Sequence, residues 1–125
     1  MVIGGSYIGL EFAQIFRRFG SRVSVVEMRG RLIPRDDDDV SDTVKEIMEG
    51  EGIELHLGAE CVRLEKRGDG IAVNLSCDSG PKEVVRSHLL VAVGRRPNTG
   101  DLGLDKAGVE TDERGYILVD DTLAT

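Results

Sequence analysis

Apolar and polar positions along this chain change period several times, and each change marks an element. Val2-Ile3 is a short apolar run that enters Gly4-Gly5-Ser6, which predicts a strand over residues 2–4. Ile8, Phe12, Ile15, Phe16 and Phe19 then recur at helical spacing as one apolar stripe, which predicts a helix over 7–19. Gly20 is the residue type that best adopts a left-handed stop. Residues 22–27 read as a second strand, and Arg29 to Arg35 as a loop containing Gly30 and Pro34. Asp36 to Asp39 precede Val40, Val44, Ile47 and Met48, again at helical spacing, and Gly50 and Gly52 close that helix. Acids at a helix start are favoured by the macrodipole. Ile53, Leu55 and Leu57 alternate as a strand.

Beyond this point the turns come closer together. Residues 60–66, 70–77 and 82–87 read as short strands separated by Arg67-Gly68-Asp69-Gly70 and Asp78-Ser79-Gly80-Pro81, a spacing that suits an antiparallel meander. Arg67-Gly68-Asp69 is read as a plain hairpin turn. Leu89 to Val93 is a near-continuous apolar run, as a buried parallel strand would be. Gly94 to Thr99 follows as a loop, and Tyr116 to Val119 as a last short strand. No internal repeat or low-complexity linker is visible. The fold class expected is α/β: a Rossmann-like parallel sheet with flanking helices, and a small antiparallel β-meander in place of one crossover.

The first 27 residues carry the chemistry. Strand, glycine-rich turn, helix and a second strand ending in Glu27 form the pattern of a dinucleotide-binding βαβ unit. Gly4 allows the tight turn, and Gly9, lacking a Cβ, lets the helix pack close to the sheet. Ser6 stands where the second glycine of the usual pattern is expected. Its hydroxyl could donate to a phosphate oxygen. The N–H groups at the helix start would hold phosphates without a basic side chain. Glu27 falls close to the roughly 20-residue offset of the acid that binds the adenosine ribose.

Composition narrows the remaining classes. A chain of 125 residues is one domain by size. A strand beginning almost at the first residue points to an excised piece of a longer chain. The net charge of -7 argues against a nucleic-acid partner. No apolar stretch approaches a membrane span, and no secretory leader is visible. Cys61 and Cys77 fit neither a metal motif nor a CxxC pair, and a reducing, cytoplasmic setting is expected. Adjacent carboxylates on a helix start diverge, so Asp36 to Asp39 are not read as a metal site. His56 and His88 are read as non-catalytic strand or edge residues.

Val2 to Ala13, the strand ending at Glu27, and Val91-Ala92-Val93-Gly94-Arg95-Arg96-Pro97-Asn98 together resemble the central NAD(P)-binding domain of the flavin-dependent pyridine nucleotide-disulfide oxidoreductases. The resemblance spans essentially the whole chain and is nearest to the mercuric-reductase-like and dihydrolipoamide-dehydrogenase-like branches. It implies that a segment before this domain binds FAD and carries the redox-active cysteines. It also implies a dimerisation domain elsewhere in a homodimeric parent, and no disulfide-reductase activity for this piece alone. Position by position, it implies that Gly4, Gly5, Ser6, Tyr7, Ile8 and Gly9 hold the pyrophosphate. Tyr7 matches a gate residue over the flavin, and Glu11 an acid near the nicotinamide–flavin contact. Val62 matches a position lining the adenine pocket, with plain strand packing as the alternative. Gly94, after a parallel strand, would allow close approach of the nicotinamide side.

Glu27 argues for NAD, because a carboxylate there bonds the 2′-hydroxyl and repels a 2′-phosphate. Arg29 and Arg31 argue for NADP if they face the phosphate, and are solvated loop residues otherwise. The expectation is NAD, with NADP as the alternative. Two rival readings are a non-catalytic dinucleotide-binding or redox-sensing module, and a flavoenzyme of the NADH oxidase or ferredoxin reductase type. The terminal substrate is not legible in these residues.

Overall fold

The computed structural model describes residues 1–76 and 82–125, with the backbone alone at Cys61 and Val62. Cys77 and the expected turn over 78–81 lie outside the described residues. The chain divides into two units, Met1–Val93 and Gly94–Thr125.

In the first unit, β1 (Val2–Ile3) leads through the glycine turn to α1 (Tyr7–Arg18), then β2 (Ser24–Glu27), α2 (Asp38–Gly50) and β3 (Glu54–Leu57). The strands β4 (Glu60–Arg67), β5 (Gly70–Ser76) and β6 (Lys82–Arg86) follow, and β7 (Leu90–Val91) closes the unit. Four strands form a parallel sheet in the order β3-β2-β1-β7, and β4-β5-β6 form an antiparallel sheet. The expected α/β plan with a meander is therefore present. Gly20 adopts φ +90° and its N–H reaches Arg17 O, the left-handed stop expected of it. Gly68, at φ +60°, makes the β4–β5 hairpin turn.

Period-two alternation sorts the sheet residues onto two cores. Val2, Val23 and Val25 face the helices with Leu10, Ala13, Leu32, Met48 and Ile53. Val26, joined by the half-buried Ile3, faces the meander with Ala59, Val73, Leu75 and Val84.

One assignment is added to the residue pattern and two expectations are corrected. The helix face that enters the core is Gly9, Leu10 and Ala13. The stripe of Phe12, Ile15, Phe16 and Phe19 lies on the exposed side, with Phe19 82% exposed and Phe12 stacked on Phe16. The cause is space: small residues let the helix approach the sheet closely, and a phenylalanine face would hold it away. Second, the 89–93 run is parallel but not buried. It forms the sheet edge, with Val91 and Val93 exposed. Third, 116–119 is no strand, because only an isolated bridge joins Thr111 to Ile117.

The second unit holds a short helix that the residue pattern did not announce, α3 (Leu104–Ala107), bracketed by Gly103 and Gly108 in left-handed conformations. Asp112 Oδ1 accepts the N–H groups of Arg114 and Tyr116, and the Arg114 guanidinium lies over the Tyr116 ring.

A polar cluster links the two sheets of the first unit. Arg86 Nη2 donates to Ser24 Oγ and to Glu54 Oε2, both at 2.6 Å. Ser24 Oγ donates to Glu54 Oε2 at 3.0 Å, and Lys82 Nζ stands 3.6 Å from Glu54 Oε1. His56 is buried beside them and its Nε2 makes no hydrogen bond among the described residues. Burial holds the His56 imidazole below its ordinary value. Glu54 pulls the other way, and the charges of Lys82 and Arg86 add to the lowering. Burial pulls the Glu54 carboxyl up, but its Ser24 hydrogen bond and the charges of His56, Arg86 and Lys82 outweigh it. Below pH about 6.5 the unfolded chain protonates His56 before the folded chain does, so stability falls as pH drops through the folded pKa. The urea midpoint is expected to decline from pH 7.5 to 5.5, and His56→Gln to flatten that decline. An equally steep decline in the variant would assign the effect to other groups.

Candidate functional site

The strand order fixes where a site can form. The chain runs outward from β1 through β2 to β3, then returns to the other side of β1 as β7. In such open sheets the crevice beyond the carboxyl ends of the strands, at the point of reversal, is where ligands sit. Here that point lies after β1, where the glycine turn is. Gly4 N–H donates to Val26 O at 2.8 Å and Ala92 N–H to Ile3 O at 2.7 Å, anchoring the turn to both neighbours.

The three glycines are required by packing. Gly4 has φ +113°, and a Cβ there would stand 2.4 Å from Ala92 O. At Gly9 it would stand 2.1 Å from Gly4 O, and at Gly5 2.9 Å from both Glu27 Cβ and Leu32 Cδ2. Ser6, the departure from the usual pattern, is exposed. It is the N-cap of α1, but its hydroxyl makes no capping bond. The first intrahelical bond of α1 runs from Leu10 N–H to Ser6 O at 3.1 Å. The N–H groups of Tyr7, Ile8 and Gly9 therefore have no partner inside the helix, and they add to the positive end of its dipole. An oxyanion is the ligand this arrangement suits.

Glu27 closes the other side. Its Oε2 accepts Gly5 N–H at 2.7 Å and its Oε1 accepts Arg29 N–H at 2.9 Å. A carboxylate offers about four acceptor directions, so capacity remains for hydroxyl donors. The carboxylate is half-buried at the end of β2 and fixed in direction by two backbone donors.

A part of the site that the residue pattern did not reveal is the loop between β2 and α2. Leu32 is fully buried against Gly5. Ile33 N–H donates to Gly5 O at 2.9 Å, and Ser41 Oγ donates to Leu32 O at 2.8 Å. Arg31 is partly exposed, yet it is engaged within the loop: it pairs with Asp38 and its Nη2 donates to Pro34 O at 3.1 Å and Asp36 O at 3.2 Å. A loop rich in glycine, proline and charge reads as surface, and nothing in its period marks Leu32 as core.

Tyr7 and Glu11 lie one helical turn apart and both are exposed. Val62 falls at the register shift of β4 between Cys61 and Arg63, and its side chain is not among those described. Gly94 opens the second unit with φ +153° and open space around its Cα. Within that unit Arg95, Arg96, Pro97, Asn98 and Tyr116 line a shallow hollow. Among the described residues no group of three metal-ligating side chains comes together, and no helix is long and apolar enough to cross a membrane.

The parallel four-strand sheet with its three-strand antiparallel partner is the architecture of FAD/NAD(P)-binding domains. The chain belongs to the pyridine nucleotide-disulphide oxidoreductase family, whose model matches residues 1–125. It is 42% identical to a mercuric reductase of Streptomyces lividans over 125 residues, all of this chain and 26% of that protein. It is also 42% identical to a dihydrolipoyl dehydrogenase of Thermus scotoductus over 127 aligned positions, all of this chain and 28% of that protein. Among solved structures it matches the HOCl-induced flavoprotein disulfide reductase RclA from Escherichia coli, with TM-score 0.81 and 34% identity over 95% of this chain and 26% of that one. The chain thus spans about a quarter of the length of these relatives.

Proposed function

We propose that this chain is the NAD(P)H-binding domain of a longer flavin-dependent disulfide or mercuric reductase, and that it uses NADH. The observation that carries this reading is the combination of N–H groups without a helical partner at the α1 start with the Glu27 carboxylate fixed across the turn at Gly5. The N–H groups of Tyr7, Ile8 and Gly9 would take the pyrophosphate, with the Ser6 hydroxyl beside them. Glu27 would accept the adenosine ribose hydroxyls, and a 2′-phosphate would meet its negative charge. Tyr7 and Glu11, exposed on one face of α1, would lie toward the nicotinamide and a flavin held by other parts of the polypeptide. When bound there, the dinucleotide would supply a hydride for a flavin. The role of this chain is to orient the donor. The engagement of Arg31 by Asp38 and two carbonyls supports NAD over NADP.

Titration with NADH and with NADPH, followed by nucleotide fluorescence, tests the reading. NADH is expected to bind more tightly, and Glu27→Ala to weaken it about tenfold through loss of charge-assisted hydrogen bonds worth about 1.5–3 kcal/mol. Tighter NADPH binding, or a Glu27→Ala variant indifferent to both, would overturn the assignment.

A further inference from the structure

We propose that Arg31 is a positioning residue for the dinucleotide turn. Its planar fork gathers Pro34 O, Asp36 O and the Asp38 carboxylate, and so holds Ile33 in the conformation that lets its N–H reach Gly5 O. The inference rests on the nucleotide-binding reading above, and it assigns to Arg31 a role that sequence left between phosphate reader and solvated loop residue.

Three observations support it. Ile33 has φ +37°, a left-handed conformation that is unfavourable for a β-branched residue and persists only where the surroundings impose it. The surroundings here are a closed ring of bonds: Arg31 to Pro34 O and Asp36 O, Asp36 N–H to Ile33 O at 3.0 Å, and Ser41 Oγ to Leu32 O. Last, Gly5 is held on both sides. Its N–H is taken by Glu27 and its C=O by Ile33, with Leu32 packed against its Cα. Any relaxation of the loop therefore reaches the peptide that precedes Ser6 and the helix start. A guanidinium suits this task because it offers several donors in one rigid plane, whereas an ammonium offers a point charge.

Two variants separate this role from direct phosphate recognition. Asp38 is exposed and touches the loop through Arg31. If Arg31 positions the turn, Arg31→Gln weakens NADH and NADPH by the same factor, about fivefold, as coupling through a non-contacting residue allows. Asp38→Asn then weakens both by a smaller common factor. If Arg31 reads a 2′-phosphate, Arg31→Gln weakens NADPH alone, and Asp38→Asn, by freeing the guanidinium, strengthens it; either result overturns the proposal. Amide hydrogen exchange in the absence of nucleotide gives a readout independent of binding. The Gly5 and Ile33 amides are expected to exchange faster in Arg31→Gln while those of β5 stay unchanged. Unchanged exchange at Gly5 and Ile33 refutes the positioning role. Should the unaltered chain bind neither nucleotide while the exchange result holds, the nucleotide reading fails and the loop staple stands.

Discussion

Gly9→Ala is expected to unfold the first unit or cost at least about 3 kcal/mol, the upper range for forcing extra volume into a packed site. The direction runs against propensity. An alanine inside a helix is normally favoured over glycine by up to about 1 kcal/mol. At Gly9 the added Cβ would stand 2.1 Å from Gly4 O, and the obstacle is backbone in the turn that also contacts Ala92. Neither partner is a flexible side-chain end, so relief requires α1 to lift from the sheet. That movement would also displace the unpartnered N–H groups, so any folded remainder should bind nucleotide poorly. Gly50→Ala is the control. It lies in α2, where an added Cβ would meet nothing within 4 Å, and it should be neutral or slightly stabilising. Urea unfolding of both variants decides the matter: Gly9→Ala as stable as Gly50→Ala would show that the close approach is not rigid.

The same contacts explain how far the residues alone could be read. The βαβ order, the meander and the turn were legible because each rests on local chemistry: period, left-handed stops and closely spaced turn residues. Glu27 was legible because its offset from the turn follows from the lengths of one helix and one strand. Its bond to Gly5 N–H was not, since that depends on how the end of β2 meets the turn. The glycines follow the same division. Gly4 and Gly9 do what the pattern implies, a tight turn and a close helix approach, but the contacts that enforce Gly4 and Gly5 come from distant parts of the chain, and Ser6, where the pattern expects close ligand approach, is open to solvent.

Leu32→Ala is expected to cost about 3 kcal/mol, within the 2–5 kcal/mol range for emptying a buried leucine site, whereas Phe16→Ala should cost no more than about 1 kcal/mol. Judged by pattern the order would be reversed, because Phe16 belongs to the apolar stripe of a helix and Leu32 to a charged loop. Burial decides otherwise. Leu32 is completely inaccessible among Val25, Met48 and the other helix-side core residues, and it touches Gly5. Phe16 is 42% exposed and its ring stacks on Phe12, itself exposed. Helical period identifies an apolar face but not which of two faces a sheet will accept, and the sheet accepts the one made of Gly9, Leu10 and Ala13. The cavity left by Leu32→Ala would open directly behind Gly5, so nucleotide affinity should fall with stability, while Phe16→Ala should leave affinity unchanged. Denaturant midpoints and NADH titrations on the two variants test this, and a Phe16→Ala variant as unstable as Leu32→Ala would return the stripe to the core.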